Sequence, residues 1–151
     1  MQIYRISLTK YACQLVASGN PARWNPKDVK MIYAASSRSL ACLENVVHRS
    51  QEGLNLLFSV MTIECPKKLK IKTINRTDLP DGWSDYSQMY KTQNIGAKWI
   101  RDSETAILKV PSSIIQEEYN YLLNPEHDDF KLITLVNTQP FVFDSRIKGQ
   151  V

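Results

Sequence analysis

The spacing of apolar residues along the chain predicts six short strands. Several of the segments are rich in β-branched or aromatic residues and end near Pro, Asn or Asp. The predicted strands are Ile3–Ser7, Met31–Ala34, Leu56–Ile63, Thr105–Val110, Tyr119–Leu122 and Phe141–Phe143. They indicate that a β-sheet forms a large part of the fold.

Three further segments have helical signals. Ser37–Arg49 and Ser87–Ile100 are periodic, and Asn124 followed by Pro125-Glu126 has the N-cap, proline and acid that open a helix, here expected to reach Ile133. Helices and strands alternate irregularly, without the βαβα rhythm of a doubly wound fold. The sequence therefore predicts an α+β protein with a largely antiparallel or mixed sheet.

One carboxylate interrupts the apolar face of the first predicted helix. Its apolar stripe at i, i+3 and i+7 is Leu40, Leu43 and Val47. Glu44 fills the i+4 position, where another apolar residue is expected. Burying an unpaired carboxylate costs several kcal/mol, so this side chain must be paired, hydrogen-bonded or facing a cavity. Either a structural ion pair with Arg5 or Arg23 or a functional site would explain it.

Length and composition favour one domain spanning residues 1–151. The chain is 43% hydrophobic and has only five glycines. A chain of this length can bury most of its unfolded surface around a single core. No repeat, low-complexity tract or linker divides the sequence, so we predict no domain boundary.

The cysteines and the amino terminus indicate a soluble, cytoplasmic protein. Cys13, Cys42 and Cys65 are odd in number, and their spacing matches neither a zinc site nor a CxxC motif. We expect all three to be buried thiols in a reducing compartment. The chain has neither a leader-like segment at its start nor an apolar run near the roughly 20 residues that a membrane span requires.

The charge of the chain is mildly basic and does not by itself select a partner. The net charge is +4 and the pI is about 9.0, with the cations scattered among acids. A nucleic acid, an anionic small molecule such as a dinucleotide, or an acidic protein would all suit this balance. The segment Lys67–Lys72 alternates lysine with apolar residues, which favours a protected edge strand over a phosphate-binding strip. In the turn-rich connection 75–87, we expect Trp83 and Tyr86 to cover the core.

Common catalytic motifs are absent from the sequence. It contains no GxGxxG, P-loop, HExxH or GxSxG pattern. Two histidines, His48 and His127, are too few for a typical zinc site, so no metal is expected. We interpret His48 as a residue favourable to the carboxyl end of its helix and His127 as a structural contact.

An ordered set of motifs resembles the RES-domain toxins of bacterial toxin–antitoxin pairs, a family named for an arginine, a glutamate and a serine. The resemblance extends from Ile3 to about Asp144 and is more specific than any single motif. The motifs are Tyr4-Arg5-Ile6, Arg23-Trp24-Asn25-Pro26, Ile32-Tyr33-Ala34, Leu40-Ala41-Cys42-Leu43-Glu44, Val110-Pro111-Ser112, Asn120-Tyr121-Leu122-Leu123-Asn124-Pro125 and His127-Asp128-Asp129-Phe130.

The resemblance implies a fold similar to the ADP-ribosyltransferase toxins and an activity that destroys NAD at its nicotinamide–ribose bond, by hydrolysis or phosphorolysis. NAD would then be the substrate, with phosphate as a possible co-substrate and no other cofactor. A cognate antitoxin, often carrying a helix-turn-helix DNA-binding domain, is the implied partner. The family arginine, tyrosine, glutamate and serine match Arg23, Tyr33, Glu44 and Ser112, with Ser113 as the alternative serine.

The implied chemistry suits these residue types. Cleavage develops positive charge on the ribose, which Glu44 would stabilise, and Arg23 would hold a diphosphate oxygen or ribose hydroxyl. Tyr33 would stack on nicotinamide, although an ordinary core tyrosine is the alternative. Ser112 would position the substrate rather than act as a nucleophile, and Asn120 would lie beside it; both also suit turns.

Two departures from the family pattern affect the loop that carries Arg23. Many relatives have glycines before the arginine and after the following Trp-Asn segment. This chain has Asn20-Pro21-Ala22 and Lys27-Asp28-Val29 there, which predicts a stiffer or reshaped loop.

Two rival functions remain open from the sequence. An ADP-ribosyltransferase would cleave the same bond and pass the ribosyl group to a protein. A nucleic-acid-binding module or ribonuclease would use Lys67–Lys72, but those lysines lack an aromatic platform nearby, so we expect no direct nucleic-acid partner.

Overall fold

One mixed sheet with two helices forms the protein. The structure is a computed structural model that describes residues 1–49 and 56–147. In this part of the chain the sheet has seven strands in the order β4-β5-β6-β2-β1-β3-β7. The strands are β1 Gln2–Leu8, β2 Ile32–Ala35, β3 Phe58–Glu64, β4 Ile71–Thr73, β5 Ile107–Pro111, β6 Tyr119–Leu123 and β7 Thr134–Phe141. The helices are α1 Arg38–His48 and α2 Met89–Asp102.

The sheet confirms the predicted α+β class. The pair β4–β5 is parallel. The other neighbouring strands are antiparallel. Because the helices and strands are not organised as repeated βαβ units, the sheet is mixed rather than doubly wound.

The sheet is weakly joined at its centre, between β1 and β2. Tyr4 and Ala35 form the one residue pair recorded between these strands. In contrast, β1 and β3 are joined by seven pairs, and β2 and β6 by four. The guanidinium of Arg5 crosses this seam, where its Nη1 donates to the carbonyl of Tyr33 at 2.9 Å.

Both helices cover the same face of the sheet. Leu40 and Ala41 of α1 pack in one cluster with Ala35, and Trp99 of α2 packs in another with Tyr33. Tyr33 and Ala35 are two residues apart in β2, so their side chains project to the same face. The space between α1 and α2 therefore opens onto the seam between β1 and β2.

Turns and irregular segments cover the opposite face. Ile3, Ile63 and Leu123 form a core cluster there with Leu69 and Ile133, which both lie outside the two helices. No helix among the described residues is long and apolar enough to cross a membrane.

Two predicted elements near the carboxyl end differ in the structure. The third predicted helix is a 3₁₀ turn, Asp128–Leu132, and its N-cap is His127 rather than Asn124. His127 Nδ1 accepts from the backbone N–H of Asp129 at 3.0 Å, which confirms its structural role. The last strand is Thr134–Phe141 rather than 141–143. This strand was missed because it is an edge strand with most residues exposed, so it has no apolar alternation.

The predictions for the edge strand, the cysteines and the two aromatic residues of the 75–87 connection are each confirmed only in part. β4 is an edge strand, as predicted, although it is limited to Ile71–Thr73. Of the cysteines, Cys65 is buried, but Cys42 is half-buried and Cys13 is exposed. Trp83 is buried as expected, whereas Tyr86 is 81% exposed and does not cover the core.

Candidate active site

A cleft of about 630 Å³ lies where α1 meets the seam between β1 and β2. Its volume falls in the range of about 300–1,000 Å³ that is typical of small-molecule sites. Four of the five sequence-predicted site residues line it: Arg23, Tyr33, Glu44 and Asn120. Among the described residues, the lining carries three arginines, Arg5, Arg23 and Arg49, and a single carboxylate, Glu44. The charge of the cleft therefore suits an anionic ligand.

Glu44 is held by one of its two oxygens. Oε1 accepts from Ser112 Oγ at 2.9 Å and from Asn120 Nδ2 at 2.6 Å. Oε2 lies 3.8 Å from Nε2 of His48, one turn later on α1. Across the described residues, no donor hydrogen-bonds Oε2. Two donors thus fix the direction of the carboxylate and leave its second oxygen available.

Glu44 does not lie on the core stripe of α1. Leu40 and Ala41 are the buried residues of this helix, and Val47, predicted to be in the stripe, is 52% exposed. The buried face is therefore rotated relative to the predicted one. The Glu44 side chain is 22% exposed and faces the cleft. The inference that its carboxylate must be hydrogen-bonded or face a cavity is confirmed, since it does both.

Ser112 lies behind the carboxylate rather than in the cleft. The residue is fully buried, immediately after β5. Besides donating to Glu44, its Oγ accepts from the backbone N–H groups of Ile114 and Ile115 at 3.1 and 3.2 Å. The neighbouring serine, Ser113, lines the cleft instead. The geometry gives Ser112 a positioning contact to Glu44 and leaves it no access to a substrate.

Asn120 also acts on Glu44, from β6. Its Nδ2 donates to Oε1, while its own Oδ1 is buried without a hydrogen-bond partner among the described residues. An unsatisfied buried acceptor costs free energy. The same orientation of the amide, however, places its N–H donor against the carboxylate of Glu44.

Arg23 reaches the cleft from a loop and is held by backbone carbonyls. Its Nη1 donates to the carbonyls of Trp83 and Asp85, each at 3.1 Å. Burial lowers the pKa of its guanidinium, and the negative charges of Glu44 and Asp85 oppose this shift. The group remains cationic at neutral pH, because arginine is not deprotonated in proteins. Arg23 does not form an ion pair with Glu44 in the described structure.

Helix α2 clamps the backbone of the same loop. Thr92 Oγ1 donates to the carbonyl of Arg23 at 2.6 Å, and Gln93 Nε2 donates to that of Ala22 at 2.9 Å. A Cβ at Gly96 would lie only 1.8 Å from the carbonyl oxygen of Trp24. Only glycine at this helix position permits so close an approach.

Tyr33 and Asn25 fix the loop from its other side. The hydroxyl of Tyr33 donates to Asn25 Oδ1 at 2.7 Å and accepts from the N–H of Trp24 at 3.0 Å. Asn25 Nδ2 donates to three loop carbonyls, those of Asn20, Pro26 and Val29. Burial raises the pKa of the Tyr33 hydroxyl well above its usual range, so this group stays a neutral donor. Its ring still lines the cleft.

The second departure from the family pattern, Lys27-Asp28-Val29, contains a left-handed backbone conformation at a residue other than glycine. Asp28 has φ +67°, and its N–H donates to the carbonyl of Gly19 at 2.8 Å. Aspartate tolerates this conformation better than most residues. A local hydrogen bond therefore holds this part of the loop in place.

The site includes two arginines that sequence reasoning did not assign to it, Arg5 and Arg49. Arg5 lines the cleft from β1, and burial lowers the pKa of its guanidinium. It pairs with none of the described carboxylates, and its recorded hydrogen bond is to the carbonyl of Tyr33. The pairing with Glu44 considered from the sequence is therefore absent. Alternation along β1 places Arg5 on the sheet face of Ile3, opposite the helices, so its guanidinium reaches the cleft through the seam between β1 and β2. The available signal was a charged residue within a strand, two positions from a buried isoleucine.

The described residues include no group of three or more His, Cys, Asp or Glu side chains placed to hold a metal ion.

The fold and the arrangement of Arg23, Glu44 and Ser112 define a toxin-like domain of the RES type, and comparison with known proteins agrees. Residues 2–144 match the RES domain, so the chain belongs to this family. It is 39% identical over 127 residues to the Prs ADP-ribosylating toxin of Sphingobium sp., covering 83% of this chain and 79% of that protein. It is 34% identical over 154 residues to Toxin Res of Yersinia enterocolitica, covering 98% and 100% respectively.

A solved structure shows the same fold at low sequence identity. The crystal structure of the M. tuberculosis MbcT–MbcA toxin–antitoxin complex contains a chain that superposes with a TM-score of 0.74 at 16% identity. The superposition covers 93% of this chain and 84% of that chain. At this identity the likeness establishes the fold alone.

Proposed function

We propose that this RES-domain protein is the toxin of a toxin–antitoxin pair and that it degrades NAD by cleaving the nicotinamide–ribose bond. The observation that carries the proposal is the lone carboxylate of the cleft, Glu44, oriented by two donors among three arginines. NAD is an anion with a cationic reacting end. A cleft that combines several cations with one fixed anion complements both ends.

The proposed bond cleavage depends on how the carboxylate of Glu44 is oriented. As the bond to nicotinamide breaks, its electron pair neutralises the pyridinium ring, and positive charge develops on the ribose. A fixed carboxylate in a partly desolvated site stabilises such a charge, and neutral nicotinamide departs without a general acid. Ser112 and Asn120 hold Oε1, so Oε2 is the atom that would face the developing cation.

The arginines would bind the diphosphate of the dinucleotide. Arginine recognises phosphate oxygens through its planar fork of N–H donors. Arg5 supports this assignment most strongly, because a desolvated guanidinium without a counter-ion is costly and an incoming phosphate would supply one. Arg23 presents its remaining donors from the opposite side of the cleft.

The acceptor of the ribosyl group defines two versions of this function. Hydrolysis would yield ADP-ribose, and phosphorolysis would yield ADP-ribose 1″-phosphate. An ADP-ribosyltransferase that modifies a protein is the second candidate, favoured by the name of the relative in Sphingobium, an ADP-ribosylating toxin. All three share the same bond cleavage.

A cognate antitoxin is part of the proposal. The structural neighbour is a toxin–antitoxin complex, and relatives of this chain are named toxins. We further propose that the antitoxin carries a helix-turn-helix domain, that the toxin itself binds no nucleic acid, and that it acts in the cytoplasm. Co-expression with the neighbouring open reading frame tests the pairing: growth arrest by the toxin alone should be relieved by the antitoxin.

Purified protein incubated with NAD tests the activity. We expect loss of NAD and release of nicotinamide, and we expect Glu44→Gln to lower kcat by about 10²–10³-fold, as for other preorganised charge-stabilising groups. Glu117→Gln is the matched control, because Glu117 is an exposed carboxylate paired with Arg76 away from the cleft. Equal rates for Glu44→Gln and the parent would disprove the role of Glu44.

Products separate the versions of the function. With NAD labelled in its adenylate part, free ADP-ribose or its 1″-phosphate supports the degrading enzyme. Label retained on protein after denaturing precipitation supports the transferase. Assays with and without inorganic phosphate, in a buffer that contains no other phosphate, distinguish hydrolysis from phosphorolysis.

A further inference from the structure

His48 lines the cleft beside Glu44, and the proposed reaction does not yet use it. It is the last residue of α1, its side chain is 69% exposed, and it lines the cleft. Its Nε2 lies 3.8 Å from Oε2 of Glu44, the carboxylate oxygen without a donor. A small oxygen nucleophile could therefore contact both atoms at once, since each needs to be only about 2.8 Å away.

A second base beside Glu44 would let the carboxylate keep its negative charge during the attack of water. Water that attacks the ribosyl carbon must lose a proton. If Glu44 took that proton, the carboxylate would lose the negative charge that stabilises the ribosyl cation. A separate base that contacts the same water allows Glu44 to remain an anion throughout the step.

Among the residues that the structure describes, the other titratable side chains of the cleft cannot supply this base near neutral pH. They are three arginines, Arg5, Arg23 and Arg49, and three tyrosines, Tyr4, Tyr33 and Tyr86. Arginine stays protonated, and a neutral phenol is a poor proton acceptor. Burial raises the pKa of Tyr33 further, which keeps its proton in place. Histidine is the side chain that changes protonation near neutrality.

We propose that His48 is the general base that activates water in the hydrolytic reaction, with the water bound between His48 Nε2 and Glu44 Oε2. This assignment rests on the function proposed above. The water oxygen bonds to the ribosyl carbon as the carbon–nitrogen bond breaks, and the electron pair of that bond leaves with nicotinamide. The water proton passes to Nε2 of His48 and then to solvent, which the exposed ring reaches directly. The products are ADP-ribose, nicotinamide and one proton.

The test compares His48→Ala and His48→Gln with the parent in NAD hydrolysis without phosphate. We expect both to lower kcat for ADP-ribose formation by about 10²-fold, the usual lower contribution of a general base, with KM nearly unchanged. Added imidazole should restore part of the rate to His48→Ala, because the site of the ring is open to solvent.

His127→Ala is the matched control, since it removes the other histidine, which caps a 3₁₀ turn and does not line the cleft. A second arm contains inorganic phosphate, whose dianion attacks through an oxygen that carries no proton. Formation of ADP-ribose 1″-phosphate should then fall less than formation of ADP-ribose. An equal fall in both arms, a parental hydrolysis rate in His48→Ala, or a parent that forms no ADP-ribose without phosphate each overturns the proposal. Failure of the parent to consume NAD in either arm would instead refute the proposed function.

Discussion

The floor and the rim of the cleft differ in how their polar groups are held. We define the floor as Glu44, with its donors Ser112 and Asn120, together with Tyr33 and Arg5. In the floor, Glu44 and Tyr33 have short hydrogen bonds to fixed protein groups. The rim consists of His48 and Tyr86, whose side chains are 69% and 81% exposed.

This difference assigns different tasks to the two regions. Groups held by buried partners cannot reorganise during a reaction, so the floor suits stabilisation of charge in a transition state. Exposed side chains adapt to a ligand and exchange protons with water, so the rim suits proton transfer and contact with the outer part of a substrate. Substitutions in the floor should therefore change the free energy of unfolding as well as binding or catalysis, whereas substitutions in the rim should leave the free energy of unfolding nearly unchanged.

Arg5 provides the strongest test of the floor. We expect Arg5→Met to raise KM for NAD by roughly 10²-fold, since hydrogen bonds between charged groups contribute about 1.5–3 kcal/mol. The same substitution should raise the free energy of unfolding of the ligand-free protein by about 1–3 kcal/mol, because a desolvated cation without a counter-ion is replaced by an apolar side chain of similar length. Steady-state kinetics and urea denaturation measure the two effects.

The opposite signs of these effects are the important part of the prediction. Arg76→Met is the control, because Arg76 is exposed and paired with Glu117 outside the cleft, and it should change neither quantity appreciably. If Arg5→Met destabilised the protein and left KM unchanged, Arg5 would be a structural residue of the seam between β1 and β2 rather than a ligand-binding one.

The sequence predicted residues that the structure brings to one cleft, but it did not predict how they are held there. Glu44 could be found because a carboxylate inside an apolar pattern is unusual, even though the buried face of α1 is rotated from the predicted stripe. The depth of Ser112 could not be found, because a serine after a proline has the same local pattern whether it faces a cleft or supports a carboxylate. The role of Asn25 depends on three carbonyls brought together by the folded loop, and periodicity carries no signal for that.

The strands of the sheet were likewise predicted only in part. The strand β1, which has buried residues on both of its faces, was predicted within one residue at each end. The edge strand β7 has both faces largely exposed, so pairing with β3 rather than burial defines it. The seam between β1 and β2 likewise depends on strand pairing, which a single sequence does not specify.

The two adjacent serines distinguish support within the floor from direct contact with a substrate. Ser112→Ala removes one of two donors to Glu44 Oε1 and leaves the N–H groups of Ile114 and Ile115 without their acceptor. We expect kcat to fall about tenfold, since Asn120 still holds the carboxylate, and the free energy of unfolding to fall by about 1–3 kcal/mol. Ser113→Ala should change both by much less. A larger loss of kcat in Ser113→Ala would make Ser113 the site serine. Kinetics and denaturation on both variants decide between them.

The smallest expected effects belong to Tyr86, a rim residue whose side chain is 81% exposed and is not part of the core. We expect Tyr86→Ala to leave the free energy of unfolding within about 0.5 kcal/mol of the parent, as for other exposed positions. Its ring lines the cleft, so loss of contact with a base of the dinucleotide should raise KM for NAD by about fivefold, or roughly 1 kcal/mol, with kcat unchanged. Tyr90→Ala is the matched control, because Tyr90 is 56% exposed on α2 and does not line the cleft. A clear loss of stability in Tyr86→Ala would contradict the separation of floor and rim, because an exposed side chain would then be part of the packed structure.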